Sequence, residues 1–356
     1  MTDLFAVQDA IVAEIVDALA IRLSGAEKEG LYRGGTADVE AYELYLLGRQ
    51  KWATRQLPLL REAVAHFEQA IARDSSFALA WSGFADAIDA LAYRSPEARR
   101  RVGEAKYAAQ RALVLDPELA EAWASLGVLV RDFDRDHRFA ELALERAIRL
   151  KPSYAPAYLW LSGQHRRSGR LAEAVELSQR AVQLDPIGGQ ILATHAETLS
   201  ALERWPEARE LHLQLRSLGW RDPVWAAQLV SNARWLSFNA DEVEAYARDW
   251  AAFAGYSHPD EAAVVGRAMF EPELRDEARA VLERMDAQGV RTLNLAQLFM
   301  ALDDREKVIA LLQRILEQGD PGIVDLGRRP VFAPLRTDPR FLRMFPELKL
   351  PGGKIE

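Results

Sequence analysis

The chain has 356 residues and no cysteine. Without thiols it cannot form disulfide bonds, thiolate nucleophiles or thiolate metal sites, although this absence does not identify a cellular compartment. Long apolar runs are also missing, since no stretch approaches the roughly 18 residues that suggest a membrane-spanning helix. Acidic residues outnumber basic ones, and the formal net charge is −8. This excess of negative charge argues against a general affinity for nucleic-acid phosphates.

The N-terminus begins Met1, Thr2, Asp3 and lacks the basic segment of a secretory signal peptide. Together with the missing membrane segment, this predicts a cytoplasmic protein that binds neither membranes nor nucleic acid.

Motifs that carry catalysis or hold cofactors are not found. The glycine pairs at 34–35, 188–189 and 352–353 lack the flanking residues of a phosphate-binding loop. The patterns His-Glu-x-x-His and Gly-x-Ser-x-Gly do not occur. We therefore expect no catalytic activity, no cofactor and no bound metal ion.

One segment partly matches a calcium-binding loop. Asp132, Asp134 and Asp136 alternate as in such a loop, but His137 stands where glycine is needed and Ala143 where glutamate is needed. We interpret the segment as a solvated turn between helices.

A six-residue segment recurs along the chain, as Ala-Leu-Val-Leu-Asp-Pro at 112–117, Ala-Ile-Arg-Leu-Lys-Pro at 147–152 and Ala-Val-Gln-Leu-Asp-Pro at 181–186. Its prolines fall 35 and then 34 residues apart. A period near 34 residues is typical of a solenoid of helix pairs. Such arrays usually bind other molecules and rarely catalyse reactions themselves.

The clearest repeat unit places small or bulky residues where two helices must approach each other. Its characteristic positions are Tyr158, Leu161, Ser162, His165, Gly169, Ala174, Ser178, Ala181 and Pro186. Small residues allow close approach, and the proline ends the second helix. A related unit carries an eight-residue insertion between Ala85 and Ala105. The histidines His195 and His212 face each other within a later unit. We interpret them as a hydrogen-bonded or partly exposed core pair, because no third metal ligand accompanies them.

These patterns predict an all-α fold, a right-handed solenoid of antiparallel helix pairs with four regions. Residues 1–38 form an N-terminal helix (3–23) and a linker. Residues 39–220 hold the clear repeats, 221–318 hold degenerate helical pairs, and the proline-rich segment 319–356 caps the last pair.

Residues 39–220 resemble tetratricopeptide repeats. Three further segments resemble the bacterial proteins that carry a TolB-like (FlgO-like) domain. Residues 3–11 resemble the closing helix of that domain ("D-x-F-A-x-Q-D-x-I"), residues 41–49 the sequence that follows it ("A-Y-E-L-Y-L-x-G-R"), and residues 330–341 the tail ("P-x-F-x-P-L-R-x-D-P-R-F").

The resemblance implies a role in signal transduction or transcription regulation. In such proteins a CadC-like winged helix, a nucleotide cyclase or a kinase precedes the TolB-like domain and the repeats. The chain resembles only the sensory part. We therefore expect either a region of a larger receptor, periplasmic if its regulator is membrane-anchored, or an array that works alone.

The concave face of a helical solenoid is its usual binding surface. The repeat register places ten candidate binding residues there: Tyr42, Tyr45, Arg49, Trp52, Asp86, Asp89, Arg131, Arg166, Arg167 and Glu197. The aromatic group could anchor apolar side chains, and Arg131, Arg166 and Arg167 could hold an acidic segment. The alternative interpretation is an ordinary solvated face.

The leading hypothesis is a non-catalytic scaffold for protein interaction or sensing, with a protein or peptide segment on the concave face. A homodimer is compatible with the sequence. The first alternative is a small-ligand receptor that binds inside the superhelix, and the second is an enzyme with its site in 221–318. An open groove would favour the scaffold, an enclosed polar pocket the receptor, and buried groups with perturbed pKa values in 221–318 the enzyme.

Overall fold

The structure of the protein is a computed structural model that describes residues 35–323 and 326–346. Within these residues the chain consists of helices and turns, with no strand. The predicted all-α solenoid is thereby confirmed for this part of the chain. The predicted N-terminal helix at 3–23, most of the linker, and residues 347–356 lie outside the described residues.

The helices follow one another with short connections. In chain order they are α1 (Val39–Ala53), α2 (Leu57–Arg73), α3 (Ala78–Ala92), α4 (Pro96–Arg99), α5 (Val102–Leu115), α6 (Ala120–Leu129), α7 (His137–Leu150), α8 (Ala155–Arg167), α9 (Leu171–Leu184), α10 (Gly189–Ala201), α11 (Trp205–Ser217), α12 (Pro223–Ser231), α13 (Ala240–Phe253), α14 (Ala263–Arg267), α15 (Arg275–Ala287), α16 (Thr292–Ala301), α17 (Arg305–Glu317) and α18 (Pro339–Met344). A π-helical turn spans Val130–Asp134, and 3₁₀ turns span Pro259–Ala262, Pro272–Leu274, Pro321–Ile323, Leu326–Arg328 and Pro330–Leu335.

Helix pairs stack in sequence order through residue 217. Each helix packs on the next, and the first helices of successive pairs (α1, α3, α6, α8 and α10) also contact one another in that order. The first helices therefore form one continuous inner wall, as in other superhelical repeat arrays.

Small residues allow this close packing. A Cβ atom added at Gly83 of α3 would lie 2.4 Å from Cε1 of Phe67, and one at Gly48 of α1 would lie 2.7 Å from the same atom. The Phe67 ring of α2 thus fills the space that both glycines leave. At Gly127 of α6 an added Cβ would lie 3.1 Å from Cβ of Ala143. At Gly48 and Gly127 these contacts explain why the repeat register requires a small residue.

The turns between repeat units are fixed by a recurring hydrogen bond. In three units the bulky residue near the start of the first helix donates a hydrogen bond to the carbonyl six positions earlier. The donor–acceptor pairs are Trp81 to Ser75 (3.0 Å), Trp123 to Pro117 (2.9 Å) and Tyr158 to Pro152 (3.1 Å). These bonds hold each turn against the helix that follows it, so the tryptophans at 81 and 123 are structural residues.

The degenerate half keeps the pairing but loses its regularity. Helices α12 and α13 form one pair and α16 and α17 another, whereas the pair predicted at 259–288 begins with only a 3₁₀ turn and the five-residue α14. At Gly266 of α14 an added Cβ would lie 2.5 Å from the carbonyl oxygen of Val243, so α14 and α13 meet backbone to backbone. Helix α16 also packs directly on α12.

The inserted segment of the second unit reaches the C-terminal half of the chain. It adds α4, whose N-cap Ser95 accepts a hydrogen bond from the backbone N–H of Ala98. On this segment Arg94 pairs with Asp222, the N-cap residue of α12. Arg99 pairs with Asp320, with 3.0 Å between Nη2 and Oδ2. We refer to these two ion pairs as the clasp, because they join the two halves across the interior.

The segment from Pro330 to Phe345 covers the last helix pair. Its buried side chains Phe332, Phe341 and Phe345 belong to the same hydrophobic core as those of α16 and α17. The guanidinium of Arg340 binds both carboxylate oxygens of Glu306 on α17, each at 2.7 Å. The motif at residues 330–341 therefore supplies contacts that hold this segment against the last helix pair.

Candidate functional site

The clasp leaves a partly enclosed interior cavity of about 190 Å³ between the first helices and the C-terminal half. The charged side chains that line it are predominantly basic. They include seven arginines, namely Arg55, Arg94, Arg131, Arg166, Arg167, Arg291 and Arg329, and three acidic residues, namely Asp89, Glu197 and Asp222. The interior is therefore cationic although the chain as a whole carries a net charge of −8.

A buried carboxylate organises one wall of the cavity. The Asp132 side chain, with 0% exposure, accepts bonds from Nε of Arg131 at 2.6 Å and from Nη1 of Arg167 at 2.7 Å. The hydroxyl of Tyr93 donates to its other oxygen at 2.5 Å. Burial by itself would raise the pKa of Asp132, but the two arginines outweigh that effect and lower it to about 2. Asp132 is thus a fixed anion that orients two arginines.

The prediction of a solvated turn at 132–136 was wrong for Asp132. The chain passes from α6 into a π-helical turn, which carries Asp132 into the interior before the left-handed Arg135 (φ 59°) ends it. The other two aspartates have separate roles. Asp134 pairs with Lys106 at 2.7 Å, and Asp136 caps α7 by accepting a hydrogen bond from the N–H of Phe139. The three carboxylates do not converge.

A second carboxylate, Glu197 of α10, lies at the boundary with a larger cavity. It accepts bonds from Arg166 at 2.9 Å and Gln228 at 2.6 Å, and it pairs with Arg329 at 3.2 Å. Arg329 also donates to Oε1 of Gln297 at 2.8 Å. Four residues of this network line both the interior cavity and the second cavity of about 620 Å³, namely Arg166, Glu197, Gln228 and Arg329. This network therefore separates the two spaces.

Arg55 stands apart from the other arginines of the cavity. It lies in the turn after α1 with a left-handed backbone (φ 59°) and is 7% exposed. It forms no ion pair with any residue of 35–323 or 326–346, and its Nε atom is buried without a hydrogen-bond partner. Its guanidinium carbon lies 3.7 Å from the ring centroid of Trp52. Burial lowers the pKa of Arg55 to about 10, which still leaves it charged at neutral pH.

Two further groups at the cavity have polar atoms without partners. Oδ1 of Asp89 and Nε1 of Trp220 are buried and make no hydrogen bond with the described residues. Burial, together with the nearby negative charge of Asp132, raises the pKa of Asp89 to about 8. Both effects favour the neutral form of Asp89, which can donate a hydrogen bond.

The aromatic residues predicted as binding anchors pack inside the protein. The rings of Tyr42 and Tyr45 lie against Phe77, with centroid distances of 6.4 Å and 5.3 Å. Trp52 is buried and donates from Nε1 to the backbone oxygen of Asp86 at 3.0 Å. Tyr42, Tyr45 and Trp52 therefore pack between the first two repeat units.

Arg49 and Asp86 form an ion pair with 3.0 Å between Nη1 and Oδ2. The other oxygen of Asp86 accepts a hydrogen bond from the hydroxyl of Ser125 at 2.5 Å. Both residues lie outside the lining of the interior cavity.

The structure divides the ten predicted binding residues into two groups. Asp89, Arg131, Arg166, Arg167 and Glu197 converge on the interior cavity, whereas Tyr42, Tyr45, Arg49, Trp52 and Asp86 do not line it. The register missed Arg55, Arg94, Arg291 and Arg329, which lie in turns, in the insertion, or in the C-terminal half. The insertion between Ala85 and Ala105 was the one sequence signal for Arg94.

The two histidines have separate hydrogen-bond partners. Nδ1 of His212 accepts from Nε1 of Trp225 at 2.8 Å, and Nδ1 of His195 lies 2.8 Å from the hydroxyl of Ser178. Their interpretation as hydrogen-bonded residues is confirmed, although they do not bond to each other. Among the described residues no group of three or more histidine, aspartate and glutamate side chains is arranged to hold a metal ion. None of the described helices has the length and apolar character to cross a bilayer.

No protein-family model matches the chain, and no curated protein matches it. Several solved structures are similar. PilF of Pseudomonas aeruginosa shares 20% identity, with 63% of this chain and 96% of that chain covered and a TM-score of 0.44. PilW, described as a widely conserved type IV pilus biogenesis factor, shares 16% identity, with 69% and 100% covered and a TM-score of 0.41. YrrB, described as a TPR protein with an unusual peptide-binding site, shares 19% identity, with 54% and 91% covered and a TM-score of 0.31. At these values the similarity carries no statement about a ligand or partner.

Proposed function

We propose that the chain is a non-catalytic sensory module that binds a small molecule in the interior cavity. The observation that carries this proposal is the clasp, which turns the inner face of the repeats into a partly enclosed space with converging polar groups. Such spaces, rather than open grooves, are typical of small-ligand sites.

An extended peptide on the inner face is less well supported. Trp52 and Tyr45, the proposed apolar anchors, are already packed within the repeats. Arg131 and Arg167 are held by Asp132, and Arg166 binds Glu197. A peptide would have to break these bonds, each of which satisfies a buried charge.

Catalysis in residues 221–318 is also less well supported. The buried acids with strongly shifted pKa values, Asp89 and Asp132, lie in the first repeats and are flanked by arginines. Within 221–318 the shifted groups, such as Glu261 and Arg284, are surface ion pairs. Surface pairs of this kind shift pKa values without implying chemistry.

The module would act within a bacterial signalling or transcription-regulating protein. The resemblance of residues 41–49 and 330–341 to regulators with a TolB-like domain supports this role. The clasp offers a route for the signal, because it bridges the two halves next to the cavity. A ligand that stabilises the clasped arrangement would shift its population and so reach an attached effector.

The proposal can be tested with two substitutions at one position. An added Cβ at Gly163 of α8 would lie 4.0 Å from Nη1 of Arg131 and meet nothing closer, so Gly163→Ala leaves the cavity open. Gly163→Phe places a ring in the same space. We expect a thermal-shift screen of charged and neutral small metabolites to find compounds that stabilise wild type and Gly163→Ala but not Gly163→Phe. Equal stabilisation of all three chains would contradict binding in the cavity.

A protein-interaction scaffold is the second candidate, favoured by one surface feature. Trp235 is 42% exposed and stacks on Trp205, with 5.5 Å between ring centroids, at the second cavity. A partner could cover this pair, and a second copy of the chain is one such partner. Sedimentation of wild type and Trp235→Ser tests whether the chain forms a homodimer. If it does, wild type should self-associate and the substitution should weaken that association.

A further inference from the structure

We infer that the interior cavity binds a small oxyanion, a carboxylate or phosphate group, with Arg55 as its principal cation and with Asp89 and Trp220 as further hydrogen-bond donors. This inference rests on the proposed function, since it names the chemical class of the cavity ligand.

Arg55 provides the main evidence. A buried guanidinium normally has a carboxylate partner, because an unpaired buried charge is costly. Arg55 is 7% exposed, lines the cavity, and has no ion pair within the described residues. The ring of Trp52 stabilises the cation from one side, but it offers no acceptor for the N–H groups. An anion in the cavity would supply the missing acceptor.

The neighbours of Arg55 do not remove the need for an anion. The charges of Asp86 and Asp89 act on Arg55, but neither carboxylate lies within ion-pair distance of it, and Asp86 is paired with Arg49 at 3.0 Å. The nearby guanidinium of Arg94 repels Arg55 and is itself paired with Asp222. Asp132 is occupied by Arg131 and Arg167. Among the ten charged residues that line the cavity, seven are basic and three acidic, so the balance is positive before any ligand enters.

Asp89 and Trp220 add hydrogen-bond donors, which are the groups that an oxyanion requires of its binding site. An oxyanion accepts hydrogen bonds and donates none, so its partners should be donors. Nε1 of Trp220 can only donate, and Asp89 in its neutral form carries a hydroxyl donor. Both residues line the cavity with a buried polar atom that lacks a partner. Arg55, Asp89 and Trp220 are therefore chemically matched to one acceptor-rich ligand.

The size of the cavity limits the ligand. A cavity of about 150 Å³ admits benzene, and the interior cavity is about 190 Å³. A ligand with roughly six to nine non-hydrogen atoms fits this volume, by comparison with benzene. Short dicarboxylates fall within that range and phosphate is slightly smaller, whereas a peptide of several residues is too large.

The backbone at Arg55 is left-handed (φ 59°), as it is at Glu203 (φ 57°) and Gly169 (φ 81°) in the corresponding turns of later units. This conformation therefore belongs to the turn between the two helices of a repeat. The evidence for an anion at Arg55 is its buried guanidinium, which has no ion pair within the described residues.

The test uses the full chain and three probes at constant ionic strength: inorganic phosphate, succinate, and succinamide as the neutral counterpart of succinate. For wild type we expect phosphate or succinate to raise the melting temperature by on the order of 5 °C near saturation. Succinamide should not. Comparison of phosphate with succinate identifies which oxyanion the site prefers.

The variant Arg55→Asn keeps the left-handed backbone preference and removes the charge. We expect it to be at least as stable as wild type without a probe, and to bind the preferred anion at least tenfold more weakly by calorimetry. The matched control is Arg61→Asn, on the exposed face of α2, which should bind like wild type. If Arg55→Asn fails to fold, Arg55→Lys keeps the charge but loses the planar donor pair, and should weaken binding about tenfold.

The outcomes separate this inference from the proposed function. Equal responses of wild type and Arg55→Asn to the anions would overturn the role of Arg55. If neutral metabolites bind in a manner that Gly163→Phe blocks while anions do not bind, the inference is wrong and the sensory module stands. If no charged or neutral compound binds, both are wrong.

Discussion

Arg99 and Asp320 are separated by 221 positions in the chain and form an ion pair with 3.0 Å between Nη2 and Oδ2. Both side chains are largely buried. Asp320 is shared, because Arg291 binds the same carboxylate at 2.8 Å and the N–H of Gly322 donates to it at 2.8 Å. Repeat arrays are normally stabilised by contacts between neighbouring units alone. This contact instead couples units that are distant in sequence.

Loss of the shared carboxylate should be more damaging than loss of one arginine. Asp320→Asn leaves Arg99 and Arg291 without their partner, and breaking a buried pair in this way typically costs about 3–5 kcal/mol. Arg99→Gln leaves Arg291 bound to Asp320 and should cost less. Urea unfolding at neutral pH measures both values, with Glu145→Gln in an exposed pair as control. Equal and small losses for all three variants would show that the clasp does not couple the halves.

Substitution of two glycines on first helices should change the free energy of unfolding in opposite directions. Gly127→Leu should destabilise by about 1–3 kcal/mol, because Ala143 and the carbonyl of Ala140 already limit the space. Gly163→Ala should stabilise by about 0.5–1 kcal/mol, because its added Cβ meets only Arg131 at 4.0 Å. Thermal and urea unfolding check both signs. A neutral Gly127→Leu would refute the tight contact between α6 and α7.

The repeat fold was predictable because it depends on local spacing. Small residues such as Gly127 and the bulky Trp123 occur at fixed intervals, and each acts within its own unit or on the next. The period near 34 residues records these contacts directly. The short α14 was harder to predict, because backbone contact between Gly266 and Val243 leaves no periodic apolar pattern.

The site was only partly predictable because it depends on contacts that are distant in sequence. Asp89, Arg131 and Glu197 occupy inner positions of first helices, so the register found them. Arg55 lies in the turn between the two helices of the first repeat, at the position that Gly169 occupies in the clearest unit, and that position is not one of the inner positions of a first helix. Its role depends on the insertion that brings the C-terminal half across the cavity. The sequence period reflects contacts between neighbouring units and contains no information about contacts between the insertion and the C-terminal half.

A buried histidine should make the protein less stable in mild acid. Burial lowers the pKa of His212 to about 4, and its Nδ1 accepts a hydrogen bond from Trp225. As the pH falls from about 6.5 to about 4, the unfolded chain takes up a proton that the folded chain excludes, so the free energy of unfolding falls. His212→Gln removes this titration and should flatten the decline. Urea unfolding from pH 7 to pH 4 compares the two, and parallel curves would contradict the assignment.

Asp89 should produce the opposite slope at higher pH. Its pKa is raised from 3.8 to about 8, first by burial and then by the charge of Asp132. Between these values the unfolded chain has lost the proton that the folded chain retains, so the free energy of unfolding falls as the pH rises, and it levels off above about pH 8. The limiting slope is about 1.4 kcal/mol per pH unit.

Asp89→Asn is the matched variant, because it keeps the shape and a donor while removing the charge. It should gain stability relative to wild type as the pH rises from 6 to 8, and His212→Gln should not. The two substitutions lie in different units and do not interact with a common residue, so their effects should add in the double variant. Urea unfolding of wild type, the two single variants and the double variant at several pH values measures how the free energy of unfolding changes with pH in each protein. If Asp89→Asn keeps the wild-type slope between pH 6 and 8, Asp89 is ionised in the folded protein and is not the donor that an oxyanion in the cavity requires.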